Sequence, residues 1–333
     1  MMKHLLLLCL LALMFLFAGC KTDSQFTVAY LTPSENRVRF VEEGQAMGQR
    51  FRELGVNFSI VYAGDDDALQ IQQGLDLIER GVDALVITAV NGNTIAPLIR
   101  EAKEKGVMVV AYNRLINNSE YDLFYAGDNG HMAKAFVDAA VSRAPRGNYV
   151  ILGGDRFDRN GVELMYHIDS LMLPHIESGR INLLYSTFLE GWSRSRAAFE
   201  VQQVIDAHGS DIDAIIACND AMGLGALDVL QANNLQGKVV VTGQGAELES
   251  IRNVHRGFQT VTIYHPPKEL GSKAAELVYE MLNGRSASQI ANAHSFNGLA
   301  VIPTFQMKSI VVNRDNLQYL VDAGVFTWNQ IQE

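Results

Sequence analysis

From Phe26 to Tyr264 the sequence alternates between two kinds of segment, and it does so twice. Short apolar runs rich in β-branched residues, Phe26 to Leu31, Phe58 to Tyr62, Ala84 to Thr88 and Val107 to Tyr112, predict strands buried on both faces. Between them, Val41 to Leu54, Leu69 to Arg80 and Thr94 to Lys105 repeat apolar residues at i, i+3 and i+4, the spacing of an amphipathic helix. A second set of strands is predicted at Tyr149 to Leu152, Ile181 to Ser186, Ala214 to Cys218, Val239 to Thr242 and Val261 to Tyr264, with helices after most of them. Helical crossovers return each strand parallel to the last, so the expectation is an α/β chain with doubly wound parallel sheets.

The second half also repeats the first in detail. The run from Gly81 to Ile87, GVDALVI, resembles Asp211 to Ala217, DIDAIIA, and Asp83 and Asp213 are 130 residues apart. Gly106 to Ala111, GVMVVA, resembles Gly237 to Thr242, GKVVVT, at an offset of 131 residues. A nearly constant offset across two βαβ units predicts two lobes of one design. A length of 333 residues holds two such lobes comfortably. With 48% apolar and 19% charged residues the composition excludes a disordered chain, and a formal charge of -10 excludes nucleic acid as the main partner, because phosphate binding needs a basic field.

The first residues carry an address. Lys3 and His4 precede fourteen apolar residues, Leu5 to Ala18, the layout of an export signal and short for a membrane span. The run LFAGC, Leu16 to Cys20, resembles the lipobox of bacterial lipoproteins, which implies a signal at 1–19, a lipidated Cys20 and a linker at 20–25. Only Cys20 and Cys218 then remain, so no internal disulfide is available and stability must come from a core. Cys218, closing an apolar strand, reads as a small buried hydrophobe.

In open parallel sheets, ligands sit beyond the carboxyl ends of the strands. Those positions hold Asn36 to Phe40, Asn91 and Asn93, Asn113 and Arg114, then Asp155 to Asn160, Glu190 to Trp192, Asn219 and Asp220, Gln244 and His265. Amide, carboxylate and guanidinium groups make paired planar hydrogen bonds, which suits vicinal hydroxyls, and an aromatic ring suits the C–H face of a sugar. Duller roles fit the same residues. Asn36, Asn93 and Asp220 are candidate helix N-caps, with capping favoured for Asn93 and Asp220, and Asn91-Gly92 reads as a tight turn. His265 precedes Pro266-Pro267, which suits the first turn of a helix. Catalytic signatures are absent: the sequence has no HExxH, GxSxG or GxxxxGK, and no Cys pair at metal spacing. Gly223-Leu-Gly225 lacks the third glycine of a dinucleotide fingerprint and reads as close helix packing. No enzyme, cofactor or metal is expected.

Taken together, RGVDALVITAVNG (80–92), EAKEKGVMVVAYNRLIN (101–117), GNYVILGG (147–154), IDAIIACNDAMGLGAL (212–227) and GFQTVTIYHP (257–266) resemble the bacterial periplasmic sugar-binding proteins of the type I fold, the D-xylose-binding branch above all. The resemblance spans nearly all of the chain after the leader. It implies two lobes joined by a multi-crossing hinge and a ligand set of Arg39, Phe40, Asn113, Arg114, Asn160, Trp192, Asn219, Gln244 and His265. Phe40 stands where the family usually has Trp, and Trp192 lies in Glu-Gly-Trp rather than Asp-Gly-Trp. Asn219 belongs to Cys-Asn-Asp-Ala where the family has Ser-Asn-Asp-Ala. Three further departures bear on which sugar is bound: Asn113 replaces an Asp, Gly245 a ligand Asp, and His265 a Lys.

The expected division is 26–127 plus 265–295 for the first lobe and 128–264 plus 296–333 for the second. The expected function is capture of a neutral monosaccharide, D-xylose or a related sugar, by a monomer tethered through Cys20 on the periplasmic or cell-surface side of a bacterial membrane. The partner implied is an ABC permease, or alternatively a membrane histidine kinase that senses the closed form. A nicotinamide-dependent oxidoreductase would need a glycine fingerprint near Leu31 to Asn36, which is missing. A repressor-type effector domain would need a helix-turn-helix where the export signal stands.

Overall fold

The computed structural model describes residues 26–36 and 38–333; the leader, Cys20 and the whole of the expected linker at 20–25 lie outside the described residues. The first lobe is built on a seven-stranded sheet. Its strands are β1 (Thr27–Thr32), β2 (Asn57–Tyr62), β3 (Ala84–Ile87), β4 (Met108–Tyr112), β5 (Leu123–Gly127), β11 (Ala293–Phe296) and β12 (Val301–Met307), in the spatial order β11-β12-β5-β4-β3-β1-β2. All neighbours run parallel except β11, which returns antiparallel along β12. The second lobe has β6 (Gly147–Gly153), β7 (Ile181–Phe188), β8 (Ala214–Ala217) and β9 (Val240–Val241) in the order β7-β6-β8-β9, all parallel. This is the order β2-β1-β3-β4 of the first lobe, so the repeat seen at an offset of 130 residues is a repeat of topology.

Alternation along the strands separates two apolar layers on the first sheet. Ala29, Leu31, Leu85, Ile87, Val109 and Ala111 face one layer of helices, while Val28, Tyr30, Ala84, Val86, Val110 and Tyr112 face the other. β2 departs from the expectation of burial on both faces: it ends the sheet, and Asn57 and Ser59 are exposed. Helices Val38–Glu53 and Pro267–Leu282 lie almost in backbone contact, because a Cβ on Gly271 would stand 2.1 Å from the carbonyl oxygen of Glu43. Gly225 likewise lets the helix Asp220–Ala232 approach the Arg194 carbonyl, where a Cβ would sit 2.2 Å away, which accounts for the Gly-Leu-Gly run. Cys218 is buried and unpaired, and burial pushes its thiol up to about 12.

Among the described residues the chain passes between the lobes three times. β5 leads into the second lobe's helix Asn129–Arg143, and β10 (Thr262–Tyr264) returns through His265 to the first lobe's helix Pro267–Leu282. The third passage lies between β12 and β13 (Ile310–Val312), which pairs antiparallel with β10. The expected boundary at 296 is therefore too early: β12 lies beside β5, so 296–307 belong with the first sheet. The cause is that β12 is followed at once by a strand of the other lobe, and nothing local in the sequence marks the change. Val312 of β13, with Leu317, Leu320 and Ile331 beyond it, closes a small apolar cluster with Ile251 and Val254 of the second lobe.

Candidate functional site

The carboxyl ends of both sheets face one cavity of about 730 Å³, and all nine residues expected to contact a ligand line it. The first lobe contributes Arg39 and Phe40 from the start of the helix Val38–Glu53 and Asn113 and Arg114 from the end of β4. The second contributes Asn160, Trp192, Asn219 and Gln244, and His265 stands at the second passage. The lobes touch across this cavity, where Asn160 Nδ2 donates to the Asn113 carbonyl at 3.2 Å.

On the first lobe, Arg39 is held from behind. Its Nε donates to Glu43 Oε1 at 2.6 Å and its Nη2 to Asn113 Oδ1 at 3.2 Å, and Glu43 is wholly buried. Although burial works against the charge, Glu43 beside it holds Arg39 protonated above its ordinary range. Asn113 sits at φ +62°, a left-handed conformation that asparagine tolerates better than most residues. Arg114 Nη1 donates to the Ala89 carbonyl at 2.9 Å, which lays its guanidinium 5.9 Å from the Phe40 ring centroid. Phe40 is 7% exposed, so its ring supports the two arginines more than it opens to the cavity.

On the second lobe, Trp192 ends a single 3₁₀ turn, Glu190–Trp192, at φ +55°, and the turn is secured by the Gly191 N–H donating to Asp155 Oδ2 at 2.7 Å. The indole lies on Gly154; a Cβ there would meet the ring at 2.2 Å. Asn219, not Asp220, caps the helix Asp220–Ala232, accepting from the Met222 N–H at 2.8 Å, and its Nδ2 donates to the Trp192 carbonyl at 3.4 Å. The capping role expected of Asp220 is thus displaced by one residue, and Asn93 caps nothing, since Ile95 precedes the helix Ala96–Glu104.

Asp220 does something else. Fully buried, it accepts from Gln259 Nε2 at 2.9 Å and Thr262 Oγ1 at 2.8 Å on one oxygen and from the Glu247 N–H at 3.0 Å on the other. Its own N–H donates to the Gln244 carbonyl at 2.8 Å, so it fixes the loop that carries Gln244. Burial pushes its carboxyl up to about 6 despite those donors. Gly245, at φ +136°, stands where a Cβ would lie 3.5 Å from Asp220 Oδ2; an aspartate at 245 would bring a second carboxylate to this buried one.

His265 is buried, with Nε2 2.8 Å from Gln244 Nε2 and Nδ1 2.7 Å from Ser309 Oγ. Burial, and after it the charge of Arg39, hold the imidazole well below its ordinary range, so it is neutral. Glu42, Asn129, Glu247 and Val325 also line the cavity and were not singled out in the sequence. Asn129 follows β5, a strand with no preceding helix to announce it, and Val325 follows no strand at all. Counting charges on the wall, Arg39 and Arg114 face Glu42, Asp158 and Glu247, so the cavity has no cationic excess.

Residues 28–286 match the family described as periplasmic binding protein domain. The chain is 32% identical over 283 residues to the D-xylose-binding periplasmic protein of Haemophilus influenzae, covering 85% of each, and 32% identical over 280 residues to that of Escherichia coli, covering 84% of each. Among solved structures it resembles an ABC transporter solute-binding protein from Clostridium phytofermentans with bound β-D-glucose, at a TM-score of 0.76 and 23% identity over 92% of this chain and 99% of that one. With its two parallel-sheet lobes and the cavity between them, the chain belongs to the periplasmic binding protein family, a family of binding proteins rather than enzymes.

Proposed function

We propose that the protein captures a neutral monosaccharide, D-xylose or a related sugar, between its lobes outside the cytoplasm and delivers it to an ABC importer. The observation that carries this reading is the 730 Å³ cavity walled by planar hydrogen-bonding side chains from both lobes and by the half-buried Trp192. Hydroxyls exchange water for such groups only if every partner is met, which gives selectivity among sugars. Trp192 supplies the flat apolar surface that the C–H face of a pyranose covers. Two guanidiniums against three carboxylates, and a neutral His265, favour an uncharged ligand over a sugar acid or phosphate.

The names of the relatives support a pentose. Asn113, Gly245 and His265 shape the pocket toward a ligand held without the opposite-charge pair of the family pattern, with Gln244 and His265 in its place. The tether through Cys20 follows from the LFAGC run. A thermal-shift screen of pentoses, hexoses, polyols and furanosides tests the reading: one sugar raises the melting temperature in proportion to the logarithm of its concentration. Absence of any shift at millimolar sugar contradicts it. For the tether, Cys20→Ser moves the protein from the membrane to the soluble fraction; a variant still firmly bound to membranes contradicts the anchor.

A further inference from the structure

The three passages between the lobes meet at one residue outside the expected ligand set. Ser309 lies in the third passage, between β12 and β13, and is 7% exposed. Its carbonyl accepts from His131 Nε2 at 3.2 Å, and His131 is in the first turn of the helix that follows the first passage. Two residues before Ser309, the Met307 carbonyl accepts from the Asp128 N–H at 3.0 Å, at the first passage itself. The Ser309 hydroxyl is 2.7 Å from Nδ1 of His265, which occupies the second passage.

His265 carries this contact into the cavity. The Gln244 amide directs its N–H at His265 Nε2, 2.8 Å away, and a nitrogen that accepts there leaves the ring proton on Nδ1. Nδ1–H then donates to Ser309 Oγ. The chain Ser309, His265, Gln244 fixes both the tautomer of the ring and the orientation of the amide. As a result Gln244 Oε1 is buried with no partner among the described residues. A buried acceptor left unmet costs stability unless something fills it, and this one belongs to a side chain on the cavity wall.

We infer that Ser309 is a positioning residue for ligand recognition: through His265 it orients Gln244 so that Oε1 receives one hydroxyl of the sugar, and it ties that contact to all three passages between the lobes. The inference rests on the sugar-binding reading for its ligand, while the Ser309–His265 half stands without it. A hydroxyl that donates to Gln244 Oε1 completes a row of hydrogen bonds ending where the lobes pivot, so the same contact that selects a hydroxyl also favours the arrangement of the passages present here.

Two measurements test it. In the wild-type protein, long-range ¹H–¹⁵N spectra of His265 show a proton on Nδ1 and a bare Nε2; a proton on Nε2 overturns the relay whether or not any sugar binds. With the tightest-binding sugar from the screen and its monodeoxy analogues, Ser309→Ala and Gln244→Leu each weaken the parent sugar by about tenfold. Both losses vanish for the same monodeoxy analogue, and Ser309→Thr, which keeps the hydroxyl, restores affinity to within about twofold. A Ser309→Ala loss that is equal for every analogue overturns the positioning role, because a general defect of the fold does not choose a hydroxyl. If no sugar binds, the sugar reading fails, and the tautomer measurement decides the relay separately.

Discussion

Asn160 Nδ2 of the second lobe donates to the backbone carbonyl of Asn113 in the first, across 3.2 Å of the cavity. Asn113 in turn accepts from Arg39 through its side chain, so a backbone and a side-chain contact of one left-handed residue link a lobe-spanning bond to the guanidinium beneath it. Replacing Asn160 by Ala removes this bond and, on the proposed reading, a hydroxyl partner as well. Affinity falls by about tenfold or more, and small-angle scattering of the ligand-free protein shifts to a larger radius. An unchanged affinity and radius would show that the contact is incidental.

Trp192 depends on a residue that never touches the cavity. Because the indole lies on Gly154, Gly154→Ala places a methyl group 2.2 Å from its ring atoms and displaces it. Both Trp192→Ala and Gly154→Ala weaken sugar binding by about 1–2 kcal/mol, and sugar-induced change in tryptophan fluorescence disappears in Trp192→Ala, leaving only the signal of Trp328. Full retention of affinity in Trp192→Ala would remove the stacking role.

Asp220 gives the protein a pH dependence of defined sign. Its folded value of about 6 lies above the ordinary 3.8, so between these values the folded chain holds a proton that the unfolded chain has lost. The stability tied to this proton is fully present below about pH 4 and is lost as pH rises through about 6. Two units correspond to about 3 kcal/mol as an order of magnitude. Asp220→Asn removes the dependence, so the difference in unfolding free energy between wild type and variant declines from pH 4 to pH 7. A constant difference would contradict the assignment.

Gly271 permits the close helix contact beneath Arg39 and Phe40, which line the cavity. Gly271→Ala forces the helix Val38–Glu53 away from Pro267–Leu282, since its Cβ would stand 2.1 Å from the Glu43 carbonyl oxygen. The expected cost is about 1–3 kcal/mol in unfolding free energy, read by denaturant titration, with a parallel loss of sugar affinity. A variant as stable as the wild type would mean that the helices move apart without strain.

Much of this arrangement is legible in the sequence because burial on both faces leaves a simple mark. Ala84–Ile87 and Ala214–Ala217 are apolar at every position, and they stand at the same place in their two sheets. Several cavity residues are legible for a related reason: Asn113, Arg114 and Asn219 are polar side chains just beyond the carboxyl ends of such strands, and all three line the cavity. What the sequence hides is long-range. β5 follows a polar loop instead of a helix, so no periodicity announces it, and β12 joins a sheet whose nearest strand in sequence, besides its hairpin partner, lies more than a hundred residues earlier. Asn219 and Asp220 are adjacent and both suit a cap; only the burial of Asp220 against Gln259 and Thr262 tells them apart. Ser309 is one serine among many until the passages bring it to His265.

Isothermal titration of the purified protein with D-xylose and a panel of neutral pentoses and hexoses tests the central claim most directly. The account predicts one-to-one binding of D-xylose or a close relative at micromolar or tighter affinity, abolished or strongly weakened in Arg39→Ala and Trp192→Ala. Absence of binding by every neutral monosaccharide at millimolar concentration, from a protein shown to be folded, would contradict it.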